Sequence, residues 1–88
     1  MVYRLKIKDQ ALKALQKISE PDQGRIRRRI DALADDPRAP GTKKLQGADD
    51  LYRLRVGDYR VIYQIQDDVL LVLVVRVGHR KDVYRKGG

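Results

Sequence analysis

Arginines alternate with apolar residues in a segment whose pattern predicts a β-hairpin, and their type and spacing suit chemistry on an anion. Arg53 and Arg55 precede Gly57 and Asp58, a pair typical of a two-residue type II′ turn because glycine accepts the positive φ of its first central position. Such a turn places Arg55 directly opposite Arg60, and like charges in that arrangement destabilise a strand pair. We therefore interpret this sheet face as a binding site for an anion.

The composition favours a polyanionic partner. The 88 residues carry 20 Lys and Arg against 12 Asp and Glu, a net charge of +8, and nucleic acid is the usual partner of so basic a small domain. A membrane-binding helix would carry Phe or Trp, and the chain has neither, whereas an acidic protein partner stays open. We expect a cytoplasmic protein, because a chain without Cys fits a reducing compartment. We expect no signal peptide and no membrane span, because charges interrupt the start of the chain and the apolar run at residues 69–75 is too short to span a bilayer.

Two helices are predicted between a first strand and a long loop. Residues 2–8 alternate between apolar and polar side chains, as a half-buried strand does. We expect Asp9 to cap the first helix, and Ser19 and Asp22 to form a capping box at the second, with Pro21 in its first turn. The apolar stripes of the two helices are Ala11, Leu12, Ala14, Leu15 and Ile18, then Ile26, Ile30, Leu33 and Ala34.

The remaining sequence predicts three consecutive strands. Residues 38–50 are rich in Pro, Gly, Lys and Asp and predict a loop. A meander follows, with a second two-residue turn at Asp67 and Asp68 and a last strand, residues 69–77, that is apolar on both faces. The order β-α-α-β-β-β predicts a single α+β domain over residues 1–88, with an antiparallel sheet and the helical hairpin packed on one face. The other face is then free for a ligand.

The predicted register brings the end of the chain towards the arginines. The second turn would place Arg60 opposite Val75, so that the last strand overhangs the first hairpin turn. A bend at Gly78 would return Arg80 to the sheet edge, and Tyr84, four residues later in a helical turn, would share its face. We expect the Arg60 and Arg80 side chains to lie at this edge, outside the core.

The segments LYRLRVGDYRVIYQI and VLLVLVVRVGHRKDVYR closely resemble the RelE-type toxins of bacterial and archaeal toxin–antitoxin systems, with GDYRVIY and VGHRKDVY as the specific part. The resemblance implies a fold like that of small microbial ribonucleases. It implies a toxin that cuts mRNA in the ribosomal A site without a metal ion or other cofactor. It also implies a cognate antitoxin that neutralises the toxin in a hetero-oligomer.

The family pattern has two basic residues on a strand, an Arg after the hairpin turn, an Arg after the last strand and a Tyr near the C-terminus. The matching positions, which the resemblance makes catalytic, are Arg53, Arg55, Arg60, Arg80 and Tyr84. Lysine is common at the first two positions, and arginine does not suit a proton acceptor there because it stays protonated. The residues expected to contact the substrate are Lys43, Lys44, His79 and Lys81.

RNA cleavage without a metal normally uses the substrate's own 2′-hydroxyl as nucleophile, and needs a base, an acid and cations for the phosphorane charge. A single histidine excludes a two-histidine mechanism, and the absence of cysteine excludes thiol chemistry. Arginine forks match phosphate oxygens, Arg80 can donate towards the leaving group, and Tyr84 can act as the base where neighbouring cations lower its pKa. Such a site predicts a slow catalyst that depends on the ribosome to position the RNA.

Other interpretations stay open. A ParE-type toxin shares the fold but poisons DNA gyrase, and such toxins generally lack the arginine set with the terminal tyrosine. A non-enzymatic RNA-binding module would need the basic face but not Tyr84. The chain would also fit an inactive toxin kept for its antitoxin, or a solvated sheet face with no ligand. The full residue set in this chain favours the nuclease.

Overall fold

Two main helices and a sheet of five strands, one strand more than predicted, form the α+β architecture that the sequence predicted. The computed structural model describes residues 2–47 and 50–83. In chain order the elements are β1 (Arg4–Ile7), α1 (Asp9–Gln16), α2 (Asp22–Ala32), β2 (Thr42–Lys44), β3 (Leu51–Val56), β4 (Tyr59–Gln66), a 3₁₀ turn (Asp67–Val69), β5 (Leu71–His79) and α3 (Arg80–Val83). The strands lie in the order β1-β5-β4-β3-β2, so β5 is internal and not at an edge.

The sheet departs from the predicted one at both edges. β1 runs parallel to β5, whereas an antiparallel sheet was expected. At the other edge, β2 lies inside the segment predicted to be a loop and pairs antiparallel with β3. Three residues are too few to show the alternation on which strand prediction rests, and alternation within β1 does not specify the direction of its neighbour.

The core lies between the helices and one face of the sheet. Most of the apolar stripes predicted for α1 and α2 supply its helical side. Alternate residues of β3 and β4 supply the other side, together with Val72, Val74 and Val77 of β5. Each fully buried side chain of this size contributes about 1.5–3 kcal/mol. The largest are Tyr63, Leu15, Ile26, Ile30, Leu54, Val61, Val72 and Val74.

The predicted caps are wrong for both helices. Asp9 lies inside α1, and Ser19 and Asp22 form no capping box. Instead, Glu20 Oε1 accepts the Gly24 N–H at 2.9 Å, which satisfies one of the free amides of the first turn of α2. In the part of the chain that the structure describes, no helix is long and apolar enough to cross a membrane.

The turn between β4 and β5 is longer than predicted, and this changes the register of the last strand. A 3₁₀ turn and Leu70, with φ 51°, join the strands, so Gln66 pairs with Leu71. A β-bulge next to Ile62 adds a further shift. Arg60 therefore pairs with Gly78 and not with Val75, and β5 ends level with the first hairpin turn instead of overhanging it.

An ion pair closes the end of the sheet that is remote from this hairpin turn. Arg38 donates from Nη2 to Asp67 Oδ2 at 2.8 Å and from Nη1 to Oδ1 at 3.3 Å, and the Tyr3 hydroxyl donates to Oδ1 at 2.6 Å. The hydrogen bond from Arg38 holds the pKa of Asp67 below its usual value, while the bond to Asp67 raises the pKa of Tyr3. The loop after α2 is thus joined to the turn between β4 and β5.

Candidate active site

The β3–β4 hairpin places its arginines as the sequence predicted. Arg55 pairs with Arg60, and Arg53 pairs with Ile62, so the three arginines share the face opposite the core. Gly57, with φ +59°, is the only one of the two turn residues with a positive φ, as a type II′ turn requires. The turn type fixes the register, and the register places two guanidinium groups side by side.

The Arg60 side chain is buried, contrary to the expectation that it lies outside the core. Only 7% of the residue is exposed, and its Nη1 donates to the carbonyl oxygens of Gly57 at 3.2 Å and Tyr59 at 3.0 Å. A guanidinium has five N–H donors, so these two bonds leave donors for a ligand. The hairpin turn therefore holds the Arg60 guanidinium in place by its own backbone.

Arg53 and Arg55 are more accessible and less constrained. Arg53 is half-buried and Arg55 exposed, and within the described residues neither side chain forms a hydrogen bond or an ion pair. No carboxylate of the described chain therefore neutralises their charge. The open face presents two unpaired guanidinium groups beside one that is fixed.

Arg80 follows β5 directly and begins the predicted final helical turn, α3. Its backbone N–H donates to the carbonyl of Asp58 at 2.8 Å, so a main-chain bond fixes the start of α3 against the hairpin turn. Arg80 is exposed, as expected. The structure thus brings the backbones of Arg55, Arg60 and Arg80 to one end of the sheet, whereas Tyr84 lies outside the described residues.

His79 pairs with Tyr59 at the last position of β5, and the two rings meet edge to face with centroids 5.7 Å apart. Its Nδ1 accepts the backbone N–H of Lys81 at 3.2 Å. Neutral His79 therefore carries its proton on Nε2. The ring is partly exposed and can donate from that atom to a ligand, and Lys81 is exposed at the same end of the sheet.

The two lysines of β2 lie on different sides of the sheet. Lys43 pairs with Arg53 and so shares the open face, whereas Lys44 pairs with Tyr52. Only Lys43 therefore joins the arginines, although both lysines were expected to contact the substrate. The described residues contain no group of three His, Asp or Glu side chains placed to hold a metal ion.

Sequence reasoning missed Arg76. It pairs with Ile62, which in turn pairs with Arg53, so Arg76 lies on the open face one strand beyond Ile62. The bulge in β5 puts it there, and the predicted register had no place for it. The available signal was a single arginine within a strand that is otherwise apolar.

The family and the relatives that this chain resembles are all named as toxins. Residues 5–84 match the family described as ParE toxin of type II toxin-antitoxin system, parDE. A putative RelE-like toxin protein of Escherichia coli is 36% identical, over 96% of this chain and 92% of the relative. The mRNA interferase toxin RelE of Escherichia coli strain K12 is 31% identical, over 92% of this chain and 86% of that protein.

Solved structures with the same fold come from archaea and bacteria. A chain of the archaeal RelE–RelB complex of Pyrococcus horikoshii aligns with a TM-score of 0.80 and 35% identity, over 94% of this chain and all (100%) of that one. A chain of the intact E. coli RelBE toxin–antitoxin complex aligns with a TM-score of 0.77 and 28% identity, over 88% of this chain and 95% of that one.

Proposed function

This chain belongs to the RelE/ParE superfamily of toxins of type II toxin–antitoxin systems, and from that premise we propose that it is an endoribonuclease that cuts mRNA in the ribosomal A site. Two relatives that cover most of the chain are named mRNA interferases. The observation that carries the proposal is the pairing of Arg55 with Arg60 at the hairpin end where Arg80 follows β5. Such a cluster suits the charge of a phosphorane.

In the proposed reaction, the 2′-hydroxyl of the RNA attacks the adjacent phosphorus. The bond between the 2′-oxygen and phosphorus forms, the bond to the 5′-oxygen breaks, and the products carry a 2′,3′-cyclic phosphate and a 5′-hydroxyl. Arg55 and Arg60 stabilise the charge on the non-bridging oxygens. Tyr84 acts as the phenolate and accepts the 2′-proton. Arg80 donates a hydrogen bond to the leaving 5′-oxygen without losing its own proton, and the 5′-oxygen takes its proton from water. No step in this scheme uses a metal ion.

The position of Arg60 supports this assignment energetically. Electrostatic stabilisation is most effective when the donors are fixed before the charge develops, because no reorganisation then accompanies the reaction. The two hydrogen bonds from Arg60 to backbone carbonyl oxygens fix its guanidinium before the substrate binds. Arg53 and Arg55, which lack such bonds, are free to follow the substrate.

The direct test is primer extension on mRNA held in programmed ribosomes, with the wild-type chain and Arg55→Ala. We expect Arg55→Ala to cleave about a hundredfold more slowly, because it loses a charge that acts in the transition state. Lys13→Ala, which removes an exposed cation from α1, is the matched control and should cleave normally. Wild-type cleavage by a folded Arg55→Ala protein would refute the site.

A 2′-deoxy nucleotide at the scissile position tests the nucleophile separately. The proposed mechanism requires complete loss of cleavage of that message by the wild-type chain. Continued cleavage would mean that water, and not the 2′-hydroxyl, attacks the phosphorus.

The matching family carries the name of ParE, which keeps a gyrase poison as the second candidate. Pulse labelling after induction separates the two. We expect protein synthesis to stop first. If DNA synthesis stops first while translation continues, the gyrase mechanism is correct.

We also propose that a cognate antitoxin binds and neutralises this chain, because two of the similar structures are a RelE–RelB complex and a RelBE toxin–antitoxin complex. The charge of +8 and the unpaired arginines suit acidic residues of the antitoxin. Exposed Val69 and Leu70, 48% and 45% accessible, offer apolar surface for an amphipathic helix. The ribosome and mRNA are the other proposed partners.

A further inference from the structure

We propose that a second phosphate of the bound RNA, next to the scissile one, is held in a cleft at the β2 edge of the sheet, with Arg29 as its main ligand. This inference rests on the proposed function, because it extends the same RNA across the molecule. Arg29 belongs to α2 and not to the sheet, and it is not one of the positions that the resemblance to RelE-type toxins makes catalytic.

The cleft has the size and charge of a nucleotide site. Its volume is about 340 Å³, within the range of small-ligand sites. Four of its lining residues are cations and none is an acid. The lining residues are Arg29, Gly41, Thr42, Lys43, Arg53 and Arg55.

Arg29 differs from its neighbours on the exposed side of α2. Arg25 and Arg27 lie 3.6 Å from acids of the same helix, Asp22 and Asp31 respectively. Arg29 has no ion pair within the described residues. Its charge is therefore available to a ligand, while those of Arg25 and Arg27 are partly compensated.

Gly41 lets Arg29 approach the sheet. A Cβ at this glycine would lie 3.0 Å from Arg29 Nη2, so the absence of a side chain makes room for the guanidinium. The φ of +96° at Gly41 also favours glycine. The loop before β2 thus brings a helical arginine to the edge of the open face.

The cleft is continuous with the proposed cleavage site through Arg55. This residue lines the cleft and also pairs with Arg60, and its backbone N–H donates to Gly41 O at 3.3 Å. Arg53 and Arg55 are two residues apart on one strand, so their Cα atoms are separated by about 6.6 Å. Two guanidinium groups can therefore contact different phosphates of one chain, with Arg29 and Lys43 on the side away from Arg60.

The test measures binding of non-cleavable 2′-O-methyl RNA to the full chain by fluorescence anisotropy. A dinucleotide offers one phosphate and a tetranucleotide three. Arg29→Ala is compared with Arg28→Ala, which removes the same charge from an exposed residue of the same helix that does not line the cleft. Thermal melting confirms that both variants are folded.

We expect Arg29→Ala to bind the tetranucleotide more weakly than Arg28→Ala, while the two variants bind the dinucleotide equally. Loss of one phosphate contact lowers the slope of log K against log salt by about 0.7 for a single strand. The difference between the variants should therefore grow about fivefold for each tenfold decrease in salt concentration.

Equal tetranucleotide binding and equal salt slopes for the two variants would overturn the inference, even if the wild-type chain cleaves mRNA in ribosomes. A loss confined to antitoxin affinity would also overturn it and assign Arg29 to that partner. Length-dependent loss in Arg29→Ala, with no ribosomal cleavage by the wild-type chain, would support the cleft as an RNA site and refute only the proposed reaction.

Discussion

Arg60 stabilises the hairpin and is also proposed to take part in catalysis. The variant Arg60→Ala therefore changes both the stability and the cleavage rate. The two hydrogen bonds of the Arg60 side chain to turn carbonyls stabilise the hairpin, whereas the position of Arg60 opposite Arg55 destabilises it. Hydrogen bonds from a charged donor are worth more than a like-charge contact between partly exposed groups. The favourable term should therefore be the larger one.

We predict that Arg60→Ala lowers the free energy of unfolding by about 1–3 kcal/mol, whereas Arg55→Ala leaves it unchanged or raises it slightly because a like charge is removed. Urea unfolding of both variants measures this difference. An Arg60 side chain outside the core, as the sequence predicted, would cost no stability when truncated, so the burial of Arg60 is the reason for the expected loss. Equal stabilities would mean that the turn is held without the Arg60 side chain.

At the scale of elements, the first hairpin turn connects the fold to the site. Gly57 provides both the positive φ of the turn and a carbonyl that binds Arg60. A Cβ at Gly57 would meet Arg25 Nη1 at an ordinary 3.9 Å. A substitution there therefore acts through backbone conformation and not through a steric clash.

We predict that Gly57→Ala loses about 1–2 kcal/mol of stability, the cost of a left-handed non-glycine residue. Gly47→Ala is the matched control: its φ is +80°, and a Cβ there would have no atom within 4 Å. Both variants should melt at a lower temperature, but only Gly57→Ala should also slow mRNA cleavage. If both variants cleave at the wild-type rate, the turn does not position Arg60 for the reaction.

The two turns of the meander show what the sequence can and cannot specify. Gly57 predicts the first turn, and the pairing of Arg55 with Arg60 that this turn implies is confirmed. The second turn uses Leu70 at φ 51°, which no residue preference predicts. Together with the bulge next to Ile62, it moved the partner of Arg60 by three residues, from Val75 to Gly78.

The candidate site was predictable to the extent that it lies on the first hairpin. Arg76 joins the open face only because of the bulge, and Arg29 reaches the β2 edge only through the packing of α2 beside Gly41. Both depend on contacts between residues distant in sequence. The positions of the arginines on β3 and β4, in contrast, could be predicted from the local turn and from the alternation of side chains between the two faces of a strand.

At the scale of the whole molecule, the two ends of the sheet differ in how their charges are paired. One end carries Arg55, Arg60 and Arg80, with no acid paired to their side chains within the described residues. The other end carries the Arg38–Asp67 ion pair with Tyr3. The charges at one end are therefore paired with each other, and the other end retains the uncompensated charge that an RNA-binding surface requires.

The buried Tyr63 joins the core to the loop that carries Arg38 of this ion pair. Its hydroxyl donates to Pro37 O at 2.5 Å, next to Arg38 in the loop after α2. Burial raises the pKa of Tyr63 from 10.0 to about 12. Its neutral form is thus favoured by folding, and the stability that it contributes is complete below pH 10.0 and is lost as the pH rises through about 12.

We predict that the free energy of unfolding of the wild-type chain falls by about 2–3 kcal/mol between those two pH values, since each pKa unit corresponds to about 1.4 kcal/mol. Tyr63→Phe should be about 1 kcal/mol less stable at pH 7, because Pro37 O loses its donor. The stability of Tyr63→Phe should fall less steeply as the pH rises, so its stability–pH curve should converge with that of the wild type or cross it.

Tyr3→Phe is the control, because its hydroxyl is exposed. This variant should keep the alkaline loss of stability that is due to Tyr63. Urea unfolding across the alkaline range measures all three proteins, and parallel curves for wild type and Tyr63→Phe would show that the buried hydroxyl does not govern alkaline unfolding.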